Sequence, residues 1–296
     1  MRTVFLGTSA FAVAVLERLA ASPHRPALVV TRPDRPRGRG RRVAPPPAAQ
    51  AALDLGIEVL QPRSVNDQDA RAAIAAARPE AVCVCAFGGL IREPLLSDVF
   101  MLNVHPSLLP RWRGAAPVER ALIEGDVETG VSIMRVVEAL DAGPVCARRA
   151  EPVDAHDTYG TLAPRLQRIG GELLVEVLDD RPPCVEQEEA HATYADKITA
   201  EDRFLAPDRT APENERIVRA LTPHVGARLT GTDGQPLRVS RALIRPDVED
   251  VDPGRLQARD SSLLYGCADV ALELLEVQPA GGRPMDAAAF LRGHAL

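Results

Sequence analysis

Five short apolar runs, at 2–6, 27–31, 58–60, 81–86 and 101–105, are interleaved with helical patterns at 10–21, 48–55 and 67–77. Apolar runs of that length suit strands covered on both faces. Parallel strands need crossovers, usually helices, and the right-handed connection rule leaves few ways to arrange them. The N-terminal part is therefore expected to be α/β, a Rossmann-like doubly wound and mostly parallel sheet. Its first turn, Gly7-Thr8-Ser9, has one glycine and lacks G-x-G-x-x-G, which disfavours a dinucleotide cofactor. Ligands of such sheets gather at the carboxyl ends of the strands.

From residue 130 the pattern changes. A strand at 131–137, the turn Asp141-Ala142-Gly143 and a return strand at 144–147 precede an amphipathic helix at 158–178. Residues 181–204 lack periodicity, open on Arg181-Pro182-Pro183 and read as a linker. Beyond it, one helix (213–221) is followed by short strands near 225–230, 236–243, 254–258 and 270–277, the spacing of a small, OB-like β-barrel. A chain of 296 residues holds two domains comfortably, expected at 1–180 and 205–296.

Apolar residues make up 46% and charged residues 26%, the composition of a globular protein. No secretory or membrane-spanning pattern is visible, so a cytoplasmic protein is expected, and a monomer. The five cysteines are scattered and do not suggest a disulfide framework. Cys83 and Cys85, two apart on a strand, read as small buried filler. No Cys/His cluster has zinc-ligand spacing, so no metal is expected.

The net charge of −6 argues against uniform attraction to nucleic acid, but its distribution points the other way. Arg32, Arg35, Arg37, Arg39, Arg41 and Arg42 face a single Asp34, a local charge of +5. Such a run is as often a solvated arm as a binding element. Here Gly38 and Gly40 flank Arg39 and allow close backbone approach, and arginine forks contact phosphates and base edges bidentately. Affinity from this loop would be strongly salt-dependent. Of the 35 basic residues only Lys197 is lysine, and it lies in the linker.

Asn103 and His105 are two apart on the last apolar run and so leave the sheet on one face. Singly, a strand-end histidine is more often structural, and an aspartate before a glycine, as at Asp141, is often only a turn former. Together the three supply a proton acceptor, an orienting carboxylate and an amide donor. Those are the parts needed to move an acyl group onto an amine. The amide contact to the oxyanion is worth about 3 kcal/mol in comparable sites.

The run Asn103-Val104-His105-Pro106-Ser107-Leu108-Leu109-Pro110-Arg111-Trp112-Arg113-Gly114-Ala115-Ala116-Pro117 resembles the signature of the folate-dependent formyltransferases. Its Arg-Gly-Ala-Ala-Pro end is similar to the methionyl-tRNA branch of that family. The resemblance runs in order along the chain. It includes Phe5-Leu6-Gly7-Thr8-Ser9, the arginine loop, and Glu128-Thr129-Gly130-Val131-Ser132-Ile133-Met134 before Leu140-Asp141. Tyr194-Ala195-Asp196-Lys197-Ile198 and Leu275-Glu276-Val277-Gln278-Pro279 complete it.

The resemblance implies formyl transfer from 10-formyltetrahydrofolate to the α-amine of methionyl initiator tRNA. Asn103, His105 and Asp141 would be the catalytic set, with Asp141 fixing the imidazole tautomer. Ser107, Leu108, Leu109 and Pro110, with Phe87, Gly88, Leu90 and Ile91, would hold the folate. Arg35, Arg37, Arg39, Arg41, Arg42 and Lys197 would contact the tRNA, and the barrel would lie along its acceptor arm. Two departures stand out: Ala139-Leu140-Asp141-Ala142-Gly143 replaces the family's Gly-Leu-Asp-Thr-Gly, and Phe87 replaces a tyrosine. Residues 205–296 also carry 11 Arg against 13 acidic residues, so a barrel that touches tRNA needs an arginine-lined face. The rival expectations are the same chemistry on a small amine, which needs neither arginine loop nor barrel, and a non-catalytic RNA-binding protein.

Overall fold

The structure is a computed structural model that describes residues 1–37, 42–232 and 234–294. The chain divides into two compact units. The first comprises Met1–Gly114, Glu128–Pro152 and Ala163–Ala195; the second comprises Ala115–Val127, Val153–Leu162 and Asp196–Leu296.

In chain order the first unit contains β1 (Thr3–Gly7), α1 (Ala10–Ala20), β2 (Pro26–Val30), β3 (Arg35–Arg37), β4 (Arg42–Ala44), α2 (Pro47–Asp54), β5 (Glu58–Leu60) and α3 (Gln68–Ala76). It continues with β6 (Ala81–Cys85), α4 (Leu95–Asp98), β7 (Met101–His105), β8 (Arg113–Gly114), β9 (Glu128–Arg135) and β10 (Val145–Pro152). Most of α6 (Tyr159–Asp180) and then β11 (Tyr194–Ala195) complete it.

The seven-stranded sheet has the order β10-β9-β7-β6-β1-β2-β5. Strands β5, β2, β1, β6 and β7 run parallel, while β9 and β10 are antiparallel. This is the doubly wound, mostly parallel sheet expected. Every residue of β1 and β6 is buried, as the unalternated apolar runs require. On α1 the buried Phe11, Val15, Leu16 and Leu19 form the stripe that meets the core. Chain order reverses at β1, which has β2 on one side and β6 on the other, so a crevice opens outside their carboxyl ends.

Two segments and one pair of cysteines differ from expectation. The arginine loop contains an antiparallel hairpin, with Arg35 opposite Ala44 and Arg37 opposite Arg42. Residues 38–41 lie outside the described residues. The stretch read as linker is ordered through Ala195: β11 pairs in parallel with β8, and Val185 bridges to Val145. That bridge brings Cys146 and Cys184 into a disulfide, which corrects the reading of the cysteines as unpaired. A separation of 38 residues between a strand and a stretch without periodicity carries no trace of this pairing. Cys83 and Cys85 are free and buried, as expected, and burial raises both thiols, Cys83 to about 12.

In the second unit α5 (Pro117–Glu124) packs on α7 (Ala211–Leu221), and the Arg216 Nε–H donates to the Ile123 carbonyl at 2.9 Å. An antiparallel sheet follows, in the order β12 (Ala227–Thr230), β13 (Pro236–Arg245), β16 (Ala271–Gln278), β15 (Ser262–Gly266), β14 (Leu256–Arg259). Strand β17 (Met285–Asp286) pairs with β16, and α8 (Ala287–Gly293) ends the unit. Leu229, Val239, Leu263, Leu272, Leu274 and Val277 form one core with Ile217 and Leu221 of α7. Strand β15 and helix α8 had no counterpart in the sequence reading. Among the described residues no helix is long and apolar enough to cross a membrane.

One buried hydroxyl ties the loop after β7 to the sheet. Ser132 of β9, fully buried and opposite His105, donates to the Ser107 carbonyl at 2.7 Å and accepts from the Leu109 N–H at 3.0 Å. Ser132→Ala strands both backbone groups and is expected to cost roughly 3 kcal/mol, read from the urea midpoint. A variant as stable as the wild type would show that this loop is held by other contacts.

Candidate active site

Strand β7 delivers Asn103 and His105 to one face at the carboxyl edge of the sheet, as their spacing requires. Beyond His105 the chain turns sharply. The Ser107 hydroxyl donates to the Arg111 carbonyl at 2.6 Å, and Trp112 follows at φ +63°. A left-handed tryptophan is strained by about 1–3 kcal/mol and needs support. Thr193 supplies it: its hydroxyl accepts from the Trp112 N–H at 2.9 Å, and its carbonyl accepts from the Arg113 N–H at 2.9 Å. Gly114, at φ +124°, lies so close to β11 that a Cβ there would sit 2.7 Å from the Ala195 carbonyl.

The turn aims the Trp112 carbonyl at the His105 ring. The Nε2–H donates to that carbonyl at 2.8 Å, while Nδ1 lies 3.6 Å from an Asp141 carboxylate oxygen. His105 is buried and the Asp141 side chain nearly so. The Trp112 carbonyl, rather than the expected Asp141, therefore fixes the tautomer. A carbonyl can only accept, so Nε2 must carry the hydrogen. Nδ1 is left to exchange a proton beside the carboxylate.

Asp141 binds more than the imidazole. It accepts from the Asn103 amide at 3.3 Å and from the Gly114 N–H at 2.9 Å. The three residues that the sequence singled out thus meet, and one N–H of the Asn103 amide remains for another acceptor. Asp141 sits at φ +49° and Ala86 at φ +44°, so, among the described residues, three of the six left-handed non-glycines, with Trp112, surround this edge. Such strain concentrates at functional sites.

The expected folate residues divide. Ser107 and Leu109 are buried with their polar atoms committed, so they shape the loop from behind. Leu108 and Pro110 keep some surface. Pro110 lines a cavity of 660 Å³ with β10 and residues 183–191, and none of Asn103, His105 and Asp141 does. The crevice at the β1–β6 switch is a 440 Å³ cavity lined by Thr8, Arg35, Ala86, Phe87 and Gly88 among others; none of the three lines it either, but it lies at the carboxyl ends of the strands, where ligands of such sheets gather. Cys85 pairs with Val104, so the turn after Cys85 leaves the sheet one strand away from His105.

A third cavity of 240 Å³ adjoins the same turn, lined by Arg32, Arg63, Arg92, Phe87 and Leu90 among others. The turn is pinned from both sides. The Thr8 hydroxyl donates to the Phe87 carbonyl at 2.7 Å, while the Asn66 side chain donates to the Leu90 carbonyl and accepts from the Arg92 N–H. Ile91 follows Leu90 in this turn and is half-buried. Sequence reasoning did not single out Asn66 and Arg63, because residues 61–66 carry no periodicity, nor Arg92, which follows the turn it did name.

Of the expected tRNA contacts, Arg35 is exposed on β3, and Arg37 and Arg42 stand in register on the hairpin. Arg39 and Arg41 lie outside the described residues. Lys197 is exposed in the second unit.

Residues 1–178 match the family model described as formyl transferase, and residues 197–295 match the formyl transferase C-terminal domain. The methionyl-tRNA formyltransferase of Methylococcus capsulatus is 42% identical, over 100% of this chain and 98% of that protein. The protein of the same name from Halorhodospira halophila is 42% identical, over 100% of this chain and 97% of that one. The chain belongs to the methionyl-tRNA formyltransferase family. Solved formyltransferase-fold structures agree at the level of fold. Aquifex aeolicus HypX, in complex with tetrahydrofolic acid, superposes with a TM-score of 0.67 at 17% identity, over 98% of this chain and 47% of HypX. The sugar 3N-formyltransferase WlaRD gives 0.67 at 13%, over 96% of this chain and 99% of that one.

The tautomer is open to direct measurement. Nitrogen-15 NMR of the neutral imidazole is expected to show His105 protonated at Nε2, held there by the Trp112 carbonyl. A ring protonated at Nδ1 would contradict this geometry.

Proposed function

We propose that this member of the methionyl-tRNA formyltransferase family transfers the formyl group of 10-formyltetrahydrofolate to the α-amine of methionine on initiator tRNA, in the cytoplasm. The observation that carries the reading is the meeting of Asn103, His105 and Asp141 one strand from the Phe87 turn. Full-length identity of 42% to proteins bearing that name supports the choice of acceptor.

The neutral amine attacks the formyl carbon, and its lone pair forms the new C–N bond. The carbonyl electrons move to oxygen, where the remaining Asn103 N–H stabilises the oxyanion. The amine proton passes to His105 Nδ1 beside the Asp141 carboxylate, while the Trp112 carbonyl holds the opposite side of the ring. When the oxyanion collapses, the bond from carbon to folate N10 breaks and N10 receives that proton. One N–C bond forms, one breaks, and one proton is carried across.

In this reading the Phe87, Gly88, Leu90 and Ile91 turn receives the pterin side of the folate, with Leu108 and Pro110 opposite and Ser107 and Leu109 as their support. Arg32, Arg63 and Arg92 suit the carboxylates at the folate's other end. Arg35, Arg37, Arg39, Arg41 and Arg42 would grip the acceptor end of the tRNA, with Lys197 adding a compact cation.

Incubation with 10-formyltetrahydrofolate and charged initiator tRNA is expected to yield N-formylmethionine. His105→Ala is expected to lower kcat by about 10³-fold with folate binding kept. Undiminished turnover in that variant would remove His105 from the chemistry. Replacing Arg37, Arg39 and Arg41 by Gln should abolish formylation of the tRNA. An enzyme whose true acceptor is a small amine, such as an amino-sugar nucleotide, would keep its full rate on that amine and need no arginine.

A further inference from the structure

The loop that presents Asp141 has little to hold it. Residues 137–140 are exposed, Asp141 itself is left-handed, and within the loop one long backbone bond, from the Ala142 N–H to the Ala139 carbonyl at 3.3 Å, spans it. Its best-placed restraint comes from a segment with no assigned role. Between Val185 and Ala190 every residue is exposed except Gln187. The Gln187 side-chain amide donates to the Asp141 carbonyl at 2.8 Å and to the Gly143 carbonyl at 2.7 Å. Both of its N–H groups are thereby spent on one turn.

The amide orientation is itself set. Its oxygen accepts from the Nε–H of Arg113 at 3.1 Å, and a guanidinium can only donate, so the NH₂ must face the turn. Arg113 is buried and held from its far side by Glu189 at 2.8 Å. At Gly143 any side chain would run into the Arg135 carbonyl, so the turn cannot shift toward the sheet. We propose that Gln187 is a positioning residue for the transfer, a clamp that keeps the Asp141 carboxylate on His105, Asn103 and the Gly114 N–H. This rests on the proposed formyl transfer. Gln187 touches neither substrate nor reacting atoms and acts only through Asp141.

The same segment serves the other side of the ring through Thr193, which supports the Trp112 carbonyl. Residues 185–195 therefore brace both partners of His105.

Two variants of the full-length chain test the clamp. Gln187→Glu keeps the volume and the acceptor for Arg113 but removes both donors, and Gln187→Leu removes donors and acceptor together. Each is expected to lower kcat for methionyl-tRNA on the order of 30- to 100-fold, while KM for tRNA and folate stays within about twofold. In an Asp141→Ala background the same substitutions should have no further effect, because a residue acting through Asp141 has nothing left to position. A merely structural role would add to the loss in that background and would raise KM. Independently of activity, backbone hydrogen exchange in residues 137–145 should speed up about tenfold in Gln187→Glu, with exchange in 101–105 unchanged.

Wild-type kcat in both variants, additive losses, or unchanged exchange in 137–145 would each overturn the clamp. If the wild-type chain fails to formylate methionyl-tRNA, the proposed function falls, and the exchange comparison alone decides the clamp.

Discussion

One carboxylate holds the site together. Asp141 lies on a loop outside the sheet, yet its two oxygens meet the Asn103 amide, the Gly114 N–H and the His105 ring. The first and last of these belong to β7, and the second belongs to β8, just beyond the turn that follows it. A fixed negative charge at that point joins a strand end, a strained turn and a loop into one rigid group, nearly closed to water. In so dry a place electrostatic contacts are stronger than in solvent, and leaving them unmade is correspondingly costly.

The fold explains how that group can be rigid. Parallel strands buried on both faces give the sheet edge its stiffness, and the antiparallel β9 locks β7 from the other side. Ser132 then turns a packing contact into two hydrogen bonds that set the course of the loop carrying Trp112. The backbone strain at Trp112, Ala86 and Asp141 is tolerated because each lies beside one of these anchors. The crevice at the β1–β6 switch lies at the topological switch point of the sheet, beside the turn that carries Phe87.

Much of this was legible in the residues. The strands of the first sheet declare themselves by unbroken apolar runs, and the Asn103/His105 spacing dictates a common face. Asp141 was grouped with them by its chemistry as a carboxylate in a turn, and the structure brings it to Asn103 and His105, although the Trp112 carbonyl rather than Asp141 sets the tautomer. What could not be read was whatever depends on long-range backbone bonds without periodicity. Residues 181–195 look like a linker because their function is hydrogen bonding by single side chains, Gln187 and Thr193, rather than burial of a stripe. The Cys146–Cys184 pairing is hidden for the same reason. The imidazole tautomer also escaped, since it is set by a main-chain carbonyl whose direction depends on the left-handed Trp112.

The central claim concerns charge at one position, so the most direct measurement isolates charge from shape. In single-turnover formylation of methionyl initiator tRNA, Asp141→Asn keeps the side-chain outline and an acceptor for the Gly114 N–H but removes the negative charge. A rate lower by on the order of 10³-fold, with both substrates still binding at wild-type affinity, is the expected result. A rate within about threefold of wild type would contradict the account.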